Sequence, residues 1–349
     1  MNRGIIDKAL KGEPLTREDN RRLLFVREPE ELQYLFKAAR MLREQNFGNE
    51  VFLYGFLYIS TYCGNNCTFC AYHSTNHGIE RYRKELAQIL AAAETLAEEG
   101  VHLIDLTMGE DPFYHSESGF QNFLRIVEEV KQAVSLPVMV SPGVVPEKVL
   151  PELRAAGAEW YACYQENFDH NEFARLRPGQ DYGRRLEIKN SASRYGLLVE
   201  EGLLTGTGES SESLAFSIEE MKKSRASQVR VMEFVPEPNI PLQPAGPDPN
   251  REAVIIALLR LNFPDLLIPA SLDVEGIGGL EKRLSAGANV VTSIVPAGCG
   301  LAGVANKDLD IETGDRSIAR VMEVLSRCGL VKAGQESFTK WMRNRCICL

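Results

Sequence analysis

The sequence predicts an α/β protein, a closed (β/α)8 barrel of the TIM type preceded by a short N-terminal helical extension. From about residue 51 onward, short runs of β-branched, aromatic and aliphatic residues alternate with amphipathic helical stretches. Strict alternation of strand and helix is typical of a parallel sheet. Eight strand candidates can be counted, and eight is the number that closes this kind of barrel.

The eight predicted strands span residues 52–60, 102–107, 137–141, 159–165, 196–203, 228–234, 266–271 and 288–294. The amphipathic stretches predict helices over residues 85–99, 120–134, 147–156, 184–194, 211–224, 250–261, 278–286 and 316–326. We expect residues 51–349 to form the barrel domain. Its tail, residues 330–349, is expected to run over the surface.

Residues 1–50 predict a helical cap on that barrel. Thr16 is followed three positions later by Asp19, which is the spacing of a capping box at a helix start. A second helix is expected to begin at Pro29, because proline is tolerated in the first helical turn. Leucine and alanine then recur at helical spacing up to about residue 45.

Composition narrows the class of protein. The 349 residues are 44% hydrophobic, which is ordinary for a globular chain, and the net charge of −9 argues against a nucleic-acid partner. The sequence has no apolar run of about 18 residues and no N-terminal signal-peptide core, so no membrane partner is expected. Its eight cysteines are then expected to be ligands or free thiols in the reducing cytoplasm.

Three of the cysteines form the clearest chemical motif. Cys63, Cys67 and Cys70 follow the first predicted strand at spacing Cys-x3-Cys-x2-Cys, around residues suited to a tight loop. Three converging thiolates suit a soft metal or an iron–sulfur cluster, and a four-iron cluster would keep one iron without a protein ligand. Two plainer interpretations stay open, a structural zinc site completed by His73 and three unrelated free thiols.

Polar residues recur where successive predicted strands end, at the edge where barrel enzymes place their active sites. They are Glu110, Asp111, Ser141, Glu166, Arg230, Ser271 and Asp273. A charged group at these positions is costly to bury unless a ligand, ion or protein partner compensates it. The pattern therefore favours a binding site at this end of the barrel.

Each of these residues also has a plainer explanation. Glu110 and Asp111 can cap the turn that follows them, because acidic residues favour helix starts. Arg230 lies in an apolar run and requires a carboxylate partner. Asp273 is a candidate for that partner, unless both residues instead bind a zwitterionic ligand.

Three further features are less specific. Cys163 and Cys299 are expected to be buried free thiols, and Cys346 and Cys348 alone are weak support for a second metal. The proline-rich residues 236–247 predict a long loop after the sixth strand, which could lie over the barrel mouth as a lid.

The cysteine motif, with Phe69 immediately before its last cysteine, resembles the signature of the radical S-adenosylmethionine (SAM) enzymes. The resemblance extends over nearly the whole chain and is greatest to the subgroup of biotin synthase and the hydrogenase-maturation proteins. It is carried by Leu106-Thr-Met-Gly-Glu-Asp-Pro112, Ser141-Pro-Gly143, Leu176-Arg-Pro-Gly-Gln180 and Leu267-Ile-Pro-Ala-Ser-Leu-Asp-Val-Glu-Gly-Ile277, among other segments.

The resemblance implies roles for particular residues. Cys63, Cys67 and Cys70 would hold a [4Fe–4S] cluster whose fourth iron binds SAM. The SAM-binding residues it implies are Phe69, near the adenine, Gly109 and Glu110, near the methionine amino group, and Ser141, Glu166 and Arg185, near the methionine and ribose. The amino-acid substrate would be bound by Asp111, Arg230, Ser271 and Asp273.

The resemblance also implies a reaction. Within the subgroup, the chain resembles enzymes of pyrrolysine biosynthesis that isomerise L-lysine to (3R)-3-methyl-D-ornithine. There a 5′-deoxyadenosyl radical abstracts a hydrogen atom, and the lysyl radical fragments and recombines. The expected partners are L-lysine and a reductant such as flavodoxin or ferredoxin. The alternatives are a related radical SAM enzyme with another amino-acid-like substrate, and a zinc-binding structural module.

Overall fold

The structure, a computed structural model, describes residues 2–236, 239–243, 245–246, 248–296 and 316–347. Its centre is a parallel sheet that contains all eight predicted strands. They are β1 (Glu50–Ser60), β2 (Leu103–Met108), β3 (Val138–Ser141), β4 (Ala158–Ala162), β5 (Leu198–Thr205), β6 (Gln228–Glu233), β7 (Pro269–Ser271) and β8 (Val290–Ile294).

The sheet curls into a nearly closed barrel. Its strands follow the order β6-β5-β4-β3-β2-β1-β8-β7. The remaining gap, between β6 and β7, is bridged by backbone hydrogen bonds from Val229 N to Leu267 O (3.0 Å) and from Leu267 N to Ser227 O (3.3 Å). The carboxyl ends of all eight strands therefore meet at one mouth, as the alternating pattern predicts.

Helices surround the sheet. They are α1 (Arg3–Leu10), α2 (Arg17–Leu23), α3 (Pro29–Phe47), α4 (Leu86–Glu99), α5 (Glu117–Val134), α6 (Val149–Ala155), α7 (His170–Leu176), α8 (Tyr182–Arg194), α9 (Ser211–Met221), α10 (Arg251–Asn262), α11 (Leu272–Ser285), α12 (Ile318–Arg327) and α13 (Gln335–Ile347). The predicted barrel helices are found within a few residues of their expected bounds, except that α11 begins at Leu272, six residues before the predicted start, and is kinked at Glu275 and Gly276. No described helix has the length and apolar character needed to cross a membrane.

The N-terminal helices pack on the outside of the barrel. The capping box at Thr16 is present, with Asp19 N donating to Thr16 Oγ1 at 3.1 Å and Thr16 N donating to Asp19 Oδ2 at 2.9 Å. Helix α3 is fixed to the end of α11, because Arg43 donates to the Leu284 carbonyl at 2.8 Å. Apolar residues of α1–α3 belong to the same hydrophobic core as the barrel. The domain boundary at residue 50 stays a prediction.

The expectation for the C-terminal tail is wrong. Residues 331–332 form a short strand, β9 (Val331–Lys332), that pairs with β1, and α13 follows it. Phe338 of α13 is fully buried at the amino end of the barrel, with ring centroids 5.0 Å from Phe52 and 5.7 Å from Tyr54. The tail therefore closes the bottom of the barrel, where inward-facing aromatic residues of β1 need an apolar cover.

This closure predicts a large cost for shortening Phe338. Phe338→Ala should lower the free energy of unfolding by about 3–5 kcal/mol, because it leaves a cavity between buried rings. Lys340→Ala, on an exposed position of the same helix, should change it by less than about 0.5 kcal/mol. Urea denaturation of both variants measures the difference. Equal stabilities would show that α13 does not contribute to the core.

Candidate active site

The residues 63–70, here called the cysteine loop, follow β1 at the barrel mouth. The loop has no regular secondary structure, and neighbouring segments hold it by backbone hydrogen bonds. Gly64 N donates to the Glu110 carbonyl after β2, and Thr68 N donates to the Leu176 carbonyl at the end of α7, both at 2.9 Å. The loop is thereby fixed between two segments that also carry polar side chains.

The three cysteines line one cavity of about 860 Å³, a volume that includes its open mouth. The same cavity is lined by all six residues expected to contact SAM: Phe69, Gly109, Glu110, Ser141, Glu166 and Arg185. Nine of the thirteen predicted site residues are therefore brought together around one space. The other four, Asp111, Arg230, Ser271 and Asp273, are not among the residues that line it.

The donor set fits an iron–sulfur cluster. Three thiols of one loop line the cavity, and thiolates are the ligands that such clusters prefer. Burial raises the pKa of the Cys63 thiol and raises that of Cys70 to about 12. The backbone at Gly109 packs against Cys63, and a Cβ there would lie 2.7 Å from Cys63 Cβ and 3.0 Å from its Sγ. A residue larger than glycine at position 109 would therefore displace the Cys63 thiol.

His73 does not complete a zinc site. Its Nδ1 lies 2.9 Å from Thr75 Oγ1, and its Nε2 lies 3.2 Å from the Asn239 carbonyl oxygen. Within the described parts of the chain, no three His, Cys, Asp or Glu side chains converge on a point that could hold a single ion. The ligands of an iron–sulfur cluster need not meet at a single point, because each thiolate binds a different iron.

Arg185 is the centre of the polar wall of the cavity. This buried side chain donates to Glu110 Oε1 at 3.0 Å, to Gln180 Oε1 at 2.9 Å and to Cys163 Sγ at 3.1 Å. Its Nε has no partner among the described residues. Cys163 is a buried free thiol, as predicted. Glu110 Oε1 also accepts from Val144 N at 3.0 Å, so the wall joins the loops after β2 and β3.

A second wall of the cavity contains Glu166 and Arg177. Arg177 donates to Glu166 Oε1 at 2.6 Å and to Cys67 Sγ at 3.3 Å, and its guanidinium lies 5.2 Å from the centre of the Phe69 ring. Glu166 has a positive φ of 65°, a conformation that is uncommon for a residue with a side chain. It is held there by backbone hydrogen bonds to Gly202 and Leu204 of β5.

Below this cavity lies a buried charged network inside the barrel. Glu200 accepts from Arg230 Nε and from Gln228 Nε2, both at 2.6 Å, and from Tyr164 OH at 2.8 Å. Of the two possibilities left open for Arg230, a pairing with Asp273 is wrong, since Glu200 on the neighbouring strand is its partner. Tyr164, which does line the cavity, lies against the Arg230 guanidinium at 5.3 Å.

Asp273 has a different cationic partner. Its carboxylate accepts from Arg316 Nη1 at 2.5 Å, from Ser293 Oγ at 2.5 Å and from Ser271 Oγ at 3.3 Å. Arg316 is 2% exposed, and its Nε and Nη2 have no partner among the described residues. Asp273 and Ser271 therefore lie together in a buried cluster whose cation was not foreseen from the sequence, and their role in substrate binding stays a prediction.

The structure does not bring Asp111 to the cavity. Its fully buried carboxylate forms a two-pronged ion pair with Arg83 at 2.7 and 2.8 Å and accepts from Ser60 Oγ at 2.5 Å and from Phe113 N at 2.9 Å. The bond from Phe113 N is the turn cap that was the plainer explanation for this residue. Its assignment to the substrate pocket stays a prediction without geometric support.

Five residues of the site were not predicted from the sequence. They are Arg83, Arg177, Gln180, Glu200 and Arg316. Two signals were available for Arg177 and Gln180. Both lie in the segment Leu176–Gln180 that carries the resemblance, and Asp169, an N-cap that accepts from Asn171 N at 2.9 Å, marks the start of the overlooked α7. The pairings of Glu200 and Arg316 depend on strand register and tertiary packing, so no local pattern reveals them.

The proline-rich segment after β6 contacts the cysteine loop where it is described. Leu242 N donates to the Thr68 carbonyl at 3.0 Å. Ile240 and Leu242 belong to an apolar cluster with Phe69 and Phe234. Residues 237, 238, 244 and 247 lie outside the described residues, as do Cys299 and Cys348. The role of this segment as a lid stays a prediction.

Comparison with known proteins decides the family. The profile of the radical SAM superfamily matches residues 57–221, which include the cysteine loop, Arg177 and Arg185. A 3-methylornithine synthase of Methanosarcina acetivorans is 44% identical over 338 residues, which cover 97% of this chain and 96% of that protein. The chain belongs to the radical SAM superfamily. Its cofactors are accordingly a [4Fe–4S] cluster and SAM, which excludes the zinc-module alternative.

Other comparisons agree in fold. The crystal structure of methylornithine synthase (PylB) aligns with a TM-score of 0.90 and 42% identity, covering 97% of this chain and 99% of that one. The [FeFe] hydrogenase maturase subunit HydE of Thermotoga maritima is 29% identical over 83% of this chain and 82% of its own length. The maturase HydG of Carboxydothermus hydrogenoformans, at 24% identity and a TM-score of 0.82, shares the fold.

The packing of Gly109 on Cys63 predicts the effect of one added methyl group. Gly109→Ala should displace the Cys63 thiol and reduce the iron retained after anaerobic reconstitution, because a Cβ cannot fit at 2.7 Å from the Cys63 Cβ. Gly64→Ala is the matched control in the same loop, since its Cβ would meet nothing closer than 3.6 Å. Iron analysis of both variants measures the effect, and equal iron content would refute this packing argument.

Ser141 also donates to a buried carboxyl group, Asp105, at 3.0 Å. Burial, reinforced by the negative charge of Glu200, raises the pKa of Asp105 to about 8. The folded state thus keeps a proton that the unfolded state releases above about pH 4, so this residue costs stability increasingly as pH rises from about 4 to about 8.

Asp105→Asn removes that cost. Relative to wild type, the variant's free energy of unfolding should therefore be larger, meaning a more stable fold, at pH 7.5 than at pH 5. Urea denaturation at both pH values measures the difference, with Asp265→Asn, on an exposed carboxylate, as the control substitution. A relative stability of the Asp105 variant that is the same at both pH values would contradict a proton held by Asp105 in the folded state.

Proposed function

We propose that the chain is a 3-methylornithine synthase that isomerises L-lysine to (3R)-3-methyl-D-ornithine. The observation that carries the proposal is 44% identity to 3-methylornithine synthases over nearly the whole of both chains. The cavity supports it, because the three cysteines and all six residues expected to bind SAM lie around one space. The related alternative, another amino-acid-like substrate on the same scaffold, is an outcome of the assay below.

Cys63, Cys67 and Cys70 hold the cluster in this proposal. When bound, the cluster and SAM supply the 5′-deoxyadenosyl radical that removes a hydrogen atom from the substrate. The protein contributes the position of both cofactors and a site that excludes water. Burial of Cys67, at 7% exposed, and the apolar contacts of Phe69 with Ile240 and Leu242 support such exclusion.

The two polar walls of the cavity bind SAM. Arg185, already paired with Glu110, pairs with the methionine carboxylate in the fork geometry that arginine favours. The backbone after β2, at Gly109 and Glu110, faces the methionine amino group. Ser141 and Glu166 take the methionine and ribose parts, and Phe69 lies near the adenine. Arg177 orients the Glu166 carboxylate through its 2.6 Å hydrogen bond.

The substrate lies deeper, against the two buried charged clusters. Arg230 uses Nε for Glu200, and its Nη groups, of which one lies 3.8 Å from Met232 Sδ, are directed to the substrate carboxylate. Asp273 and Ser271 take an ammonium group. Clamping both ends of the substrate keeps fragments in place between bond cleavage and recombination. Asp111 joins this set only if its pairing with Arg83 opens.

Two further parts of the proposal concern the protein's surroundings. The cluster needs a one-electron donor, and a flavodoxin or ferredoxin is the class we propose. Cysteine usage supports a cytoplasmic location, because the described cysteines are either cluster ligands or thiols outside any disulfide, as is exposed Cys346.

The test is an anaerobic incubation of reconstituted protein with SAM, a strong reductant and L-lysine, analysed by mass spectrometry. We expect methylornithine, which has the mass of lysine and is separated from it by chromatography. The amount of SAM consumed should not exceed the amount of product formed. Ornithine and D-lysine serve as competing substrates. Absence of methylornithine from a preparation that still cleaves SAM would overturn lysine isomerisation and favour another amino-acid-like substrate.

Asp273→Asn should lower kcat/KM for lysine by at least about 100-fold, because the substrate ammonium then loses its charged partner in a buried site. Iron content and binding of SAM should be unchanged, since Asp273 does not line the cofactor cavity. Asp265→Asn is the surface control. Wild-type turnover by the Asp273 variant would show that the substrate site has been misplaced.

A further inference from the structure

The sulfur of Cys67 has two side-chain donors that the cofactor assignments above leave unused. Gln180 Nε2 donates to Cys67 Sγ at 3.0 Å, and Arg177 Nη1 donates to the same sulfur at 3.3 Å. Both donors come from the short segment between α7 and α8. Cys67 and Arg177 are 7% and 8% exposed, so water competes little for these contacts.

The orientation of the Gln180 amide is set by its neighbours. Its Oε1 accepts from Arg185 Nη2 at 2.9 Å and from Arg177 Nη1 at 3.4 Å. Arginine can only donate, so the amide oxygen must face the two guanidinium groups. The amide nitrogen then necessarily faces the sulfur. The N–H···S contact is therefore fixed by the network around it.

Among the described residues, the sulfurs of the other two cysteines in the loop accept hydrogen bonds from the backbone only. Cys63 Sγ accepts from Asn65 N at 3.5 Å and Cys70 Sγ accepts from Tyr72 N at 3.4 Å, each a local backbone donor two residues along the chain. Of the three cysteines in the cysteine loop, only Cys67 receives side-chain donors from the described residues, and one of these donors is a cation. A hydrogen bond to a thiolate ligand stabilises the more negative state of an iron–sulfur cluster and so raises its reduction potential.

We propose that Gln180 and Arg177 are positioning residues that raise the reduction potential of the cluster through Cys67. When the external donor adds one electron, part of the added negative charge would fall on the Cys67 sulfur, which these two N–H groups face. Gln180 also contacts Arg185, and Arg177 also contacts Glu166. The two donors to Cys67 are therefore hydrogen-bonded to residues of the proposed SAM site. This proposal rests on the cysteine assignment above and not on the substrate.

The test is a redox titration of anaerobically reconstituted Gln180→Met, with the reduced cluster followed by electron paramagnetic resonance. Methionine matches the length of glutamine and cannot donate a hydrogen bond. We expect a midpoint potential lower than that of the wild type, at equal iron content. Gln121→Met, on an exposed position of α5, is the matched control and should keep the wild-type potential.

An unchanged potential in a fully loaded Gln180→Met protein would overturn the proposal. If this variant does not load iron, Arg177→Met, which removes the other side-chain donor, is titrated instead. A lower midpoint potential would support the proposal, and an unchanged one would overturn it. Failure of both to load iron while they remain folded by circular dichroism would also contradict it, because the pair would then serve assembly. No substrate is present, so an error in the lysine assignment leaves the titration unaffected.

Discussion

The active site depends on the hydrogen bonds that hold an irregular loop in place at the barrel mouth. The cysteine loop has no helix or strand of its own, and its backbone is held at Gly64 by the segment after β2 and at Thr68 by the end of α7. Those two segments also supply Glu110 and, just beyond α7, Arg177. The same two segments therefore position both the thiols and the polar side chains proposed to surround SAM.

A second constraint is that charge buried in the barrel must be paired. Four carboxylates at the mouth each have a cation: Glu110 with Arg185, Glu166 with Arg177, Glu200 with Arg230 and Asp273 with Arg316. Leaving one partner of such a pair alone costs several kcal/mol, on the order of 3–5. The pairs fix side chains that would otherwise be flexible, and the superfamily's radical chemistry requires rigid positioning of this kind.

Much of this could be predicted from sequence because it is local. The alternation of strand and helix gave eight strands within a few residues of their bounds, and the cysteine spacing marked the three cluster ligands. The other six residues around the cavity came from the resemblance to radical SAM enzymes. The errors are non-local. Glu200 meets Arg230 across the β5–β6 register, Arg316 reaches Asp273 from 43 positions along the chain, and Phe338 enters the bottom of the barrel. Only the folded chain brings these residues together.

The central claim is that Cys63, Cys67 and Cys70 hold a [4Fe–4S] cluster in this cavity. Iron and sulfide analysis of protein purified without oxygen tests it most directly, together with the visible spectrum. We expect about four irons and four sulfides per chain and a broad brown absorbance, lost when Cys67 is replaced by alanine. Four irons that persist in a folded Cys67→Ala variant would contradict the claim, because the cluster would then lie elsewhere.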